Sequence, residues 1–320
     1  MRKLAYIFCV VVFFSGCAGT LIDLKSPMTE ISSHHETKVA LYFESFNFTV
    51  GSRVVSNIYK AKTRETKNYI RDSKVLVIVD MSGEGYPVEN LDELTSECPN
   101  IISQKVSIGQ SLEGREIWMV RLSDNPNIEE DEPEVLYTGL HHAREPMSYM
   151  NLFFYMNYLC ENYDSDVEIR NIIDNRELYF VPVVNPDGLV YNESIAPDGG
   201  GLQRKNGLES CADNNNDNLW DGVDLNRNYG YYWGYDDEGS SPDGCSQTYR
   251  GSGPFSEPET YAIKNFVEQH DFKIALNYHS YSNLLIYPFG YSYENDVPQE
   301  DLDIFKSLKK LDGCDLSLAS

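Results

Sequence analysis

The chain has 320 residues, 41% hydrophobic and 12% aromatic, with 50 acidic against 26 basic side chains and a formal net charge of -24. That length buries a large core, so one main domain with a smaller appendage is expected. The acidic balance argues against nucleic acid as a partner and against electrostatic attachment to anionic lipid; it reads as the solvated surface of an exported protein, with divalent-cation binding as the alternative.

Met1-Arg2-Lys3 is a short basic region, and residues 4–14 are almost wholly apolar. That run is too short for a bilayer-spanning helix, so residues 1–16 are read as a signal peptide. Gly16-Cys17 resembles a bacterial lipobox, whose Cys becomes the lipidated first residue, although Phe14 stands where an aliphatic residue is usual. The expectation is an exported protein, either a cell-envelope lipoprotein lipidated on Cys17 or a secreted one. It would meet a membrane only through the signal peptide or the lipid anchor. Residues 17–37 are polar and irregular, a linker. Residues 38–80 hold two strand-like runs, 39–43 and 75–79, around a charged segment, and read as a small α+β pro-segment or accessory domain.

From Tyr86 strands alternate with helices. The pattern predicts a helix over 91–97, strands over 117–122 and 134–140, a helix over 146–162, a strand over 178–184, a strand over 274–278 and a helix over 299–311. Ser256-Glu257-Pro258-Glu259 opens a further helix to about His270, with Ser256 as the N-cap. The fold class is therefore α/β: a mixed, largely parallel central sheet flanked by helices, preceded by the small α+β segment. Beyond Cys9 and Cys17, an odd set of cysteines remains: Cys98, Cys160, Cys211, Cys245 and Cys314. Cys211 and Cys245 bracket a polar excursion and read as a disulfide staple; the pairing of the other three is left open.

Residues 134–140 run straight into His141-His142-Ala143-Arg144-Glu145, and 274–278 run into His279. In open sheets of this kind, ligands bind beyond the carboxyl ends of the strands. His142, Glu145 and His279 all fall on that edge, and two His with one Glu are the donor set of a catalytic zinc ion that keeps a position open for water. His141 is read as a supporting or packing residue. His34, His35 and His270 carry no site signal.

Further segments complete an ordered series. Ile108-Gly109-Gln110-Ser111-Leu112-Glu113-Gly114-Arg115 comes first, then His142-Ala143-Arg144-Glu145, then the expected turn Asn185-Pro186-Asp187-Gly188. Arg204-Lys205-Asn206, Asp224-Leu225-Asn226-Arg227-Asn228, His279-Ser280-Tyr281-Ser282 and Tyr287-Pro288-Phe289-Gly290-Tyr291 follow. From Tyr86 onward the chain resembles the zinc metallocarboxypeptidases of the carboxypeptidase A type, closest in style to secreted bacterial members. The resemblance implies one zinc ion on His142, Glu145 and His279. It also implies Arg204 as the oxyanion-stabilising catalytic residue, and Arg144, Asn226, Arg227, Ser280 and Tyr281 as substrate-binding residues. The substrate would be the C-terminus of a peptide or protein, and the enzyme a monomer acting in proteolysis.

Two features depart from the family pattern. Asp213, Asn215, Asp217 and Asp221 lie at positions 1, 3, 5 and 9 of a loop that resembles an EF-hand calcium loop, with Asn218 where Gly is usual and Asp224 at its end. Calcium and a merely solvated loop both stay open. Second, the family's general-base Glu lies many dozens of residues beyond the His-Ser-Tyr motif, whereas 41 residues follow His279 here. The domain over 86–320 is thus expected to be incomplete at its C-terminus, with weak zinc binding and poor cleavage. The alternatives are a catalytically inactive, zinc-containing peptide-binding surface lipoprotein and a cell-wall peptide hydrolase of the same superfamily. The side-chain preference of the substrate is not legible.

Overall fold

The computed structural model describes residues 10–13, 40–43, 75–78, 88–196, 201–211, 221–280, 284–291, 297–312 and 315–318. In chain order these form β1 (Val10–Phe13), β2 (Ala40–Phe43), β3 (Val75–Ile78), α1 (Val88–Glu97), β4 (Val106–Gln110), β5 (Glu116–Leu122) and β6 (Glu134–Gly139). Then come α2 (Pro146–Asn162), α3 (Val167–Ile173), β7 (Glu177–Val181), α4 (Pro186–Ile195), a 3-10 turn (Leu225–Arg227) and α5 (Pro258–Val267). The series closes with β8 (Ile274–His279), β9 (Leu284–Tyr287), α6 (Gln299–Asp312) and β10 (Asp315–Leu318).

Eight strands make one sheet in the order β10-β9-β1-β8-β6-β7-β5-β4, while β2 and β3 pair antiparallel by themselves. The pairs β1–β8, β8–β6, β6–β7 and β9–β10 are parallel; β1–β9, β7–β5 and β5–β4 are antiparallel. The mixed, largely parallel sheet read from the sequence is present. Helices cover both faces, which is why β6 and β7 are buried along their whole length and read as continuous apolar runs. On one face Tyr137 stacks on Phe180 at 4.6 Å, and Tyr149, Leu152, Met156 and Leu159 of α2 close over them. On the other, Ala262, Ile263 and Phe266 of α5 pack on Ile117, Leu136, Tyr179 and Val181. Fully burying one such aliphatic or aromatic side chain contributes roughly 1.5–3 kcal/mol, so these faces fix the register of the strands that carry the site.

Several elements differ from expectation. Asn185-Pro186-Asp187-Gly188 starts a helix, α4: the Asn185 side chain accepts the Gly188 N–H, and Pro186 presets the first turn. In α5, Ser256 is not the N-cap. That place falls to Glu257, and the Ser256 hydroxyl instead accepts from Asn228 Nδ2 and donates to Glu257 Oε1. The helix also ends at Val267 rather than near His270. Strands β4, β9 and β10 and helix α3 were not expected; they are short, and α3 depends on Asp166, whose side chain accepts the N–H groups of Glu168 and Ile169. Residues 10–13, read as part of a signal peptide, form β1 between β8 and β9. A Val-Val-Val-Phe run serves as a strand as readily as a leader.

The disulfide Cys211–Cys245 is present, and Cys98 pairs with Cys160 to tie the end of α1 to α2. No helix among the described residues is long and apolar enough to cross a membrane. Cys17, the linker, the charged segment between β2 and β3, and Cys314 lie outside the described residues.

Candidate metal centre

Strands β6 and β8 are parallel neighbours, with Gly139 opposite Tyr278, so their carboxyl ends share one edge of the sheet. Just past β6, Leu140 adopts a left-handed backbone (φ 52°), costly for a residue with a branched side chain. The turn is held by Ser148 Oγ, which accepts the Leu140 N–H, and by the Asn185 N–H, which donates to the Leu140 carbonyl. It delivers His142 and Glu145 to the mouth of the sheet before α2 begins. β8 delivers His279 at its last residue.

The three side chains are buried, and each offers a donor atom to a common point. Glu145 Oε1 is 2.8 Å from His142 Nδ1, and Oε2 is 2.8 Å from His279 Nδ1. The two Nδ1 atoms face each other at 3.1 Å. Three donor atoms of the right chemistry thus converge on one buried point, and the set fits a zinc ion.

The far sides of the rings are also held. His142 Nε2 lies 3.1 Å from Asp224 Oδ1, which places the proton on Nε2 and leaves Nδ1 free to ligate. His279 Nε2 contacts the side-chain amides of Asn277 at 3.1 Å and Asn226 at 3.4 Å. Burial, then the neighbouring His142, lowers the His279 pKa, favouring the neutral ring that a metal needs. Burial alone would raise the pKa of Glu145, but the adjacent His142 and the contacts with both rings outweigh it, so the carboxylate stays ionised. At Asp224, burial is likewise overcome by His142, Arg227 and Arg204, and the group sits well below the usual carboxylate range. His141 is buried beside them with Nε2 2.6 Å from the Tyr229 hydroxyl, a supporting place as expected.

Arg204 donates from Nε and Nη2 to Asp224 Oδ2, at 3.1 and 2.7 Å. That fork leaves Nη1 aimed at the metal donors, 3.2 Å from His142 Nδ1 and 3.9 Å from Glu145 Oε1. Asn226 and Arg227 lie in the 3-10 turn that Asp224 caps by accepting the Asn226 N–H. Arg227 Nε donates to the Gly239 carbonyl at 2.7 Å. The Ser280 N–H donates to Glu145 Oε2, and Arg144 stands on the exposed rim near Gln247. Tyr281, Asp213, Asn215 and Asp217 lie outside the described residues. Asp221 Oδ1 accepts the N–H groups of Ser210 and Cys211. With Asp224 also engaged, two carboxylates of the proposed calcium loop already have partners within the chain.

A buried polar frame behind the cleft carried little sequence signal. The Asn206 side chain donates to Glu257 Oε2 and Glu259 Oε2 and accepts the Val223 N–H, tying the Arg204 segment to the Asp224 segment and to α5. Lys205, fully buried, donates to the carbonyls of Gly244 and Ser246 on either side of Cys245; burial pulls its pKa down to about 8. Asp224 was the most important omission. Its only clue was its place at the head of Asp-Leu-Asn-Arg-Asn, where the calcium-loop reading also claimed it.

Comparison with known proteins agrees with this geometry. The family model for zinc carboxypeptidase matches residues 88–312. A zinc carboxypeptidase of Saccharothrix mutabilis subsp. capreolus is 35% identical over 220 residues, covering 67% of this chain and 48% of that protein. Carboxypeptidase A1 of Sus scrofa is 32% identical over 307 residues, covering 91% of this chain and 67% of that protein. The chain thus spans about half the length of the first relative. The crystal structure of carboxypeptidase A from Helicoverpa armigera superposes with a TM-score of 0.61 at 22% identity, covering 97% of this chain and 80% of that one, which shows a shared fold.

Proposed function

The chain belongs to the zinc carboxypeptidase family, and on that premise we propose that its site takes one zinc ion on His142, Glu145 and His279 and removes C-terminal residues from peptides or proteins. Zinc, when bound, supplies a Lewis acid for the scissile carbonyl. The chain's own residues do the rest. Asp224 holds the His142 tautomer. Arg204, forked on Asp224, holds Nη1 beside the metal donors, placed for the charge that develops on the carbonyl oxygen, where a fixed cation in a water-poor cleft is most effective. Asn226 and Arg227 grip the free carboxylate of the substrate, Arg through its planar fork. Arg144, Ser280 and Tyr281 meet residues further back. The observation that carries this reading is the pair of Nδ1 atoms facing each other across 3.1 Å beside the Glu145 carboxylate. Export is supported by the two disulfides, which persist in oxidising compartments.

A second reading is favoured by one observation. Among the described residues, the carboxylates bonded to this cluster are Glu145 and Asp224. Both are engaged, so neither is available to take the proton of an attacking water. On that ground the 320 residues bind zinc and free C-termini but turn over slowly. The test is zinc titration of the purified chain by calorimetry, followed by release of the C-terminal residue from an N-blocked dipeptide. Rapid release that disappears in His142→Ala refutes the slow-turnover reading. Absence of stoichiometric zinc binding, or its survival in His142→Ala and His279→Ala, overturns the site itself.

A further inference from the structure

We propose that the aromatic, acidic ledge formed by Tyr232, Tyr235, Tyr291 and Glu238 is a subsite for a cationic side chain, Lys or Arg, near the C-terminus of the substrate. The proposal rests on the reading above, in which Arg227 grips the substrate carboxylate.

Three observations carry it. The first is an unusual surface. Tyr231, Tyr232 and Tyr235 are 46%, 52% and 57% exposed, although large aromatic side chains normally seek cover. They do not splay independently. Tyr232 stacks on Tyr291 at 4.2 Å between ring centroids, Tyr235 meets Tyr291 edge-on at 5.3 Å, and Tyr231 stacks on Phe289 at 4.8 Å. Two separate segments therefore build one continuous aromatic face, so the rings are held in place before any ligand arrives.

The second is position. The segment that carries the three tyrosines follows Arg227 directly and then returns to it, because Arg227 Nε donates to the Gly239 carbonyl. The ledge is thereby tied to the residue that would hold the substrate carboxylate.

The third is charge. Asp237 and Glu238 follow Tyr235 and are exposed, and Asp236 Oδ1 accepts the Glu238 N–H, fixing the turn. The same turn already binds one guanidinium from within the chain. Arg250 lies 5.4 Å over the Trp233 ring, and its Nη1 donates to Asp237 Oδ1 at 2.7 Å and to the Asp236 carbonyl at 3.1 Å. A ring face with a neighbouring carboxylate is thus an arrangement that this segment uses for a cation. Glu238 is exposed in the same turn and adds a further acidic side chain to the segment that carries the outward rings. Aromatic faces attract ammonium and guanidinium groups through their quadrupole, and a net charge of -24 enriches cations near the surface. An anionic side chain would meet both effects as repulsion.

The experiment measures binding of N-acetylated tripeptides to the zinc-loaded 320-residue protein by calorimetry. The peptides end in Arg, Ala, Phe or Glu, and each is made with a free and an amidated C-terminus. The expected result is that the free-acid Arg peptide binds about tenfold more tightly than the Ala peptide, with Glu weakest. The Arg-to-Ala ratio falls toward one in Tyr232→Ala/Tyr235→Ala and, independently, in Glu238→Gln, a surface change that spares the fold. Equal affinity for Arg and Ala free acids overturns the subsite, as does a Phe preference over Arg or a ratio untouched by both variants. If free acids and amides bind alike, the carboxylate grip of the previous section has failed instead, so the two failures are separable.

Discussion

Glu259 offers a quantitative test of the frame behind the cleft. Its side chain is fully buried, and burial raises its pKa to about 7, with nearby Asp187 adding and the hydrogen bonds from the Leu112 N–H and Asn206 subtracting. In the unfolded chain the group titrates near 4.5. Between those values the folded state holds the proton that the unfolded state has released, so this group's contribution to stability falls as pH rises through the window. The gap corresponds to about 3 kcal/mol as an upper figure, since one pKa unit is about 1.4 kcal/mol. Glu259→Gln removes the titration and keeps an acceptor for the Leu112 N–H. It loses the acceptor for Asn206 Nδ2, which retains Glu257 Oε2 at 2.7 Å, a pH-independent cost of about 1 kcal/mol. The variant should therefore be less stable than the parent by about 1 kcal/mol near pH 4.5 and more stable by about 2 kcal/mol near pH 8. Urea unfolding midpoints of both proteins across that range measure the difference directly. A stability difference that does not change with pH refutes the reasoning, because it would mean that Glu259 stays ionised when buried.

Two other perturbations probe the site. Asp224→Asn removes the charge that orients His142 and braces Arg204, so zinc affinity should fall about 10- to 100-fold in competition with a chromophoric chelator; unchanged affinity would remove Asp224 from the site. Cys211→Ser with Cys245→Ser opens a link between residues 34 apart, for which chain entropy gives a loss of about 4 kcal/mol. A melting temperature that matches the parent protein would show that Lys205, holding the carbonyls either side of Cys245, fixes that loop alone.

The fold was legible wherever burial imposes a repeating pattern. β5, β6, β7, β8 and α2 were expected within a few residues of their observed limits, because both faces of the sheet are covered and the run of apolar residues is long. Short elements were not. β4 has five residues and contains Gly109, whose Cβ position would fall 2.6 Å from Ala262 Cβ; the glycine that reads as a break is there because α5 packs against the strand. Asn-Pro-Asp-Gly shows how local chemistry can be read two ways. Gly188 suggests a turn, yet a Cβ there would lie 2.7 Å from both Ala143 Cβ and the Lys205 carbonyl. The glycine serves close packing of α4 under the His142 loop, and Asn185 with Pro186 starts the helix.

The site divides along the same physical line. The residues proposed for the site, His142, Glu145, His279, Arg204, Asn226 and Arg227, are polar groups at strand ends and in tight turns, which is what singles them out in the sequence. Asp224, Asn206, Glu257 and Glu259 are equally buried and polar, but each acts only by satisfying another buried group, and such pairings span separations of 20 to 82 residues. No periodicity records them. Their effect is nonetheless specific: remove Asp224 and three things change together, the proton on His142, the direction of Arg204 and the cap of the turn that carries Asn226. The hidden carboxylate joins the candidate metal donors to the turn that carries Asn226 and Arg227, because one side chain braces both.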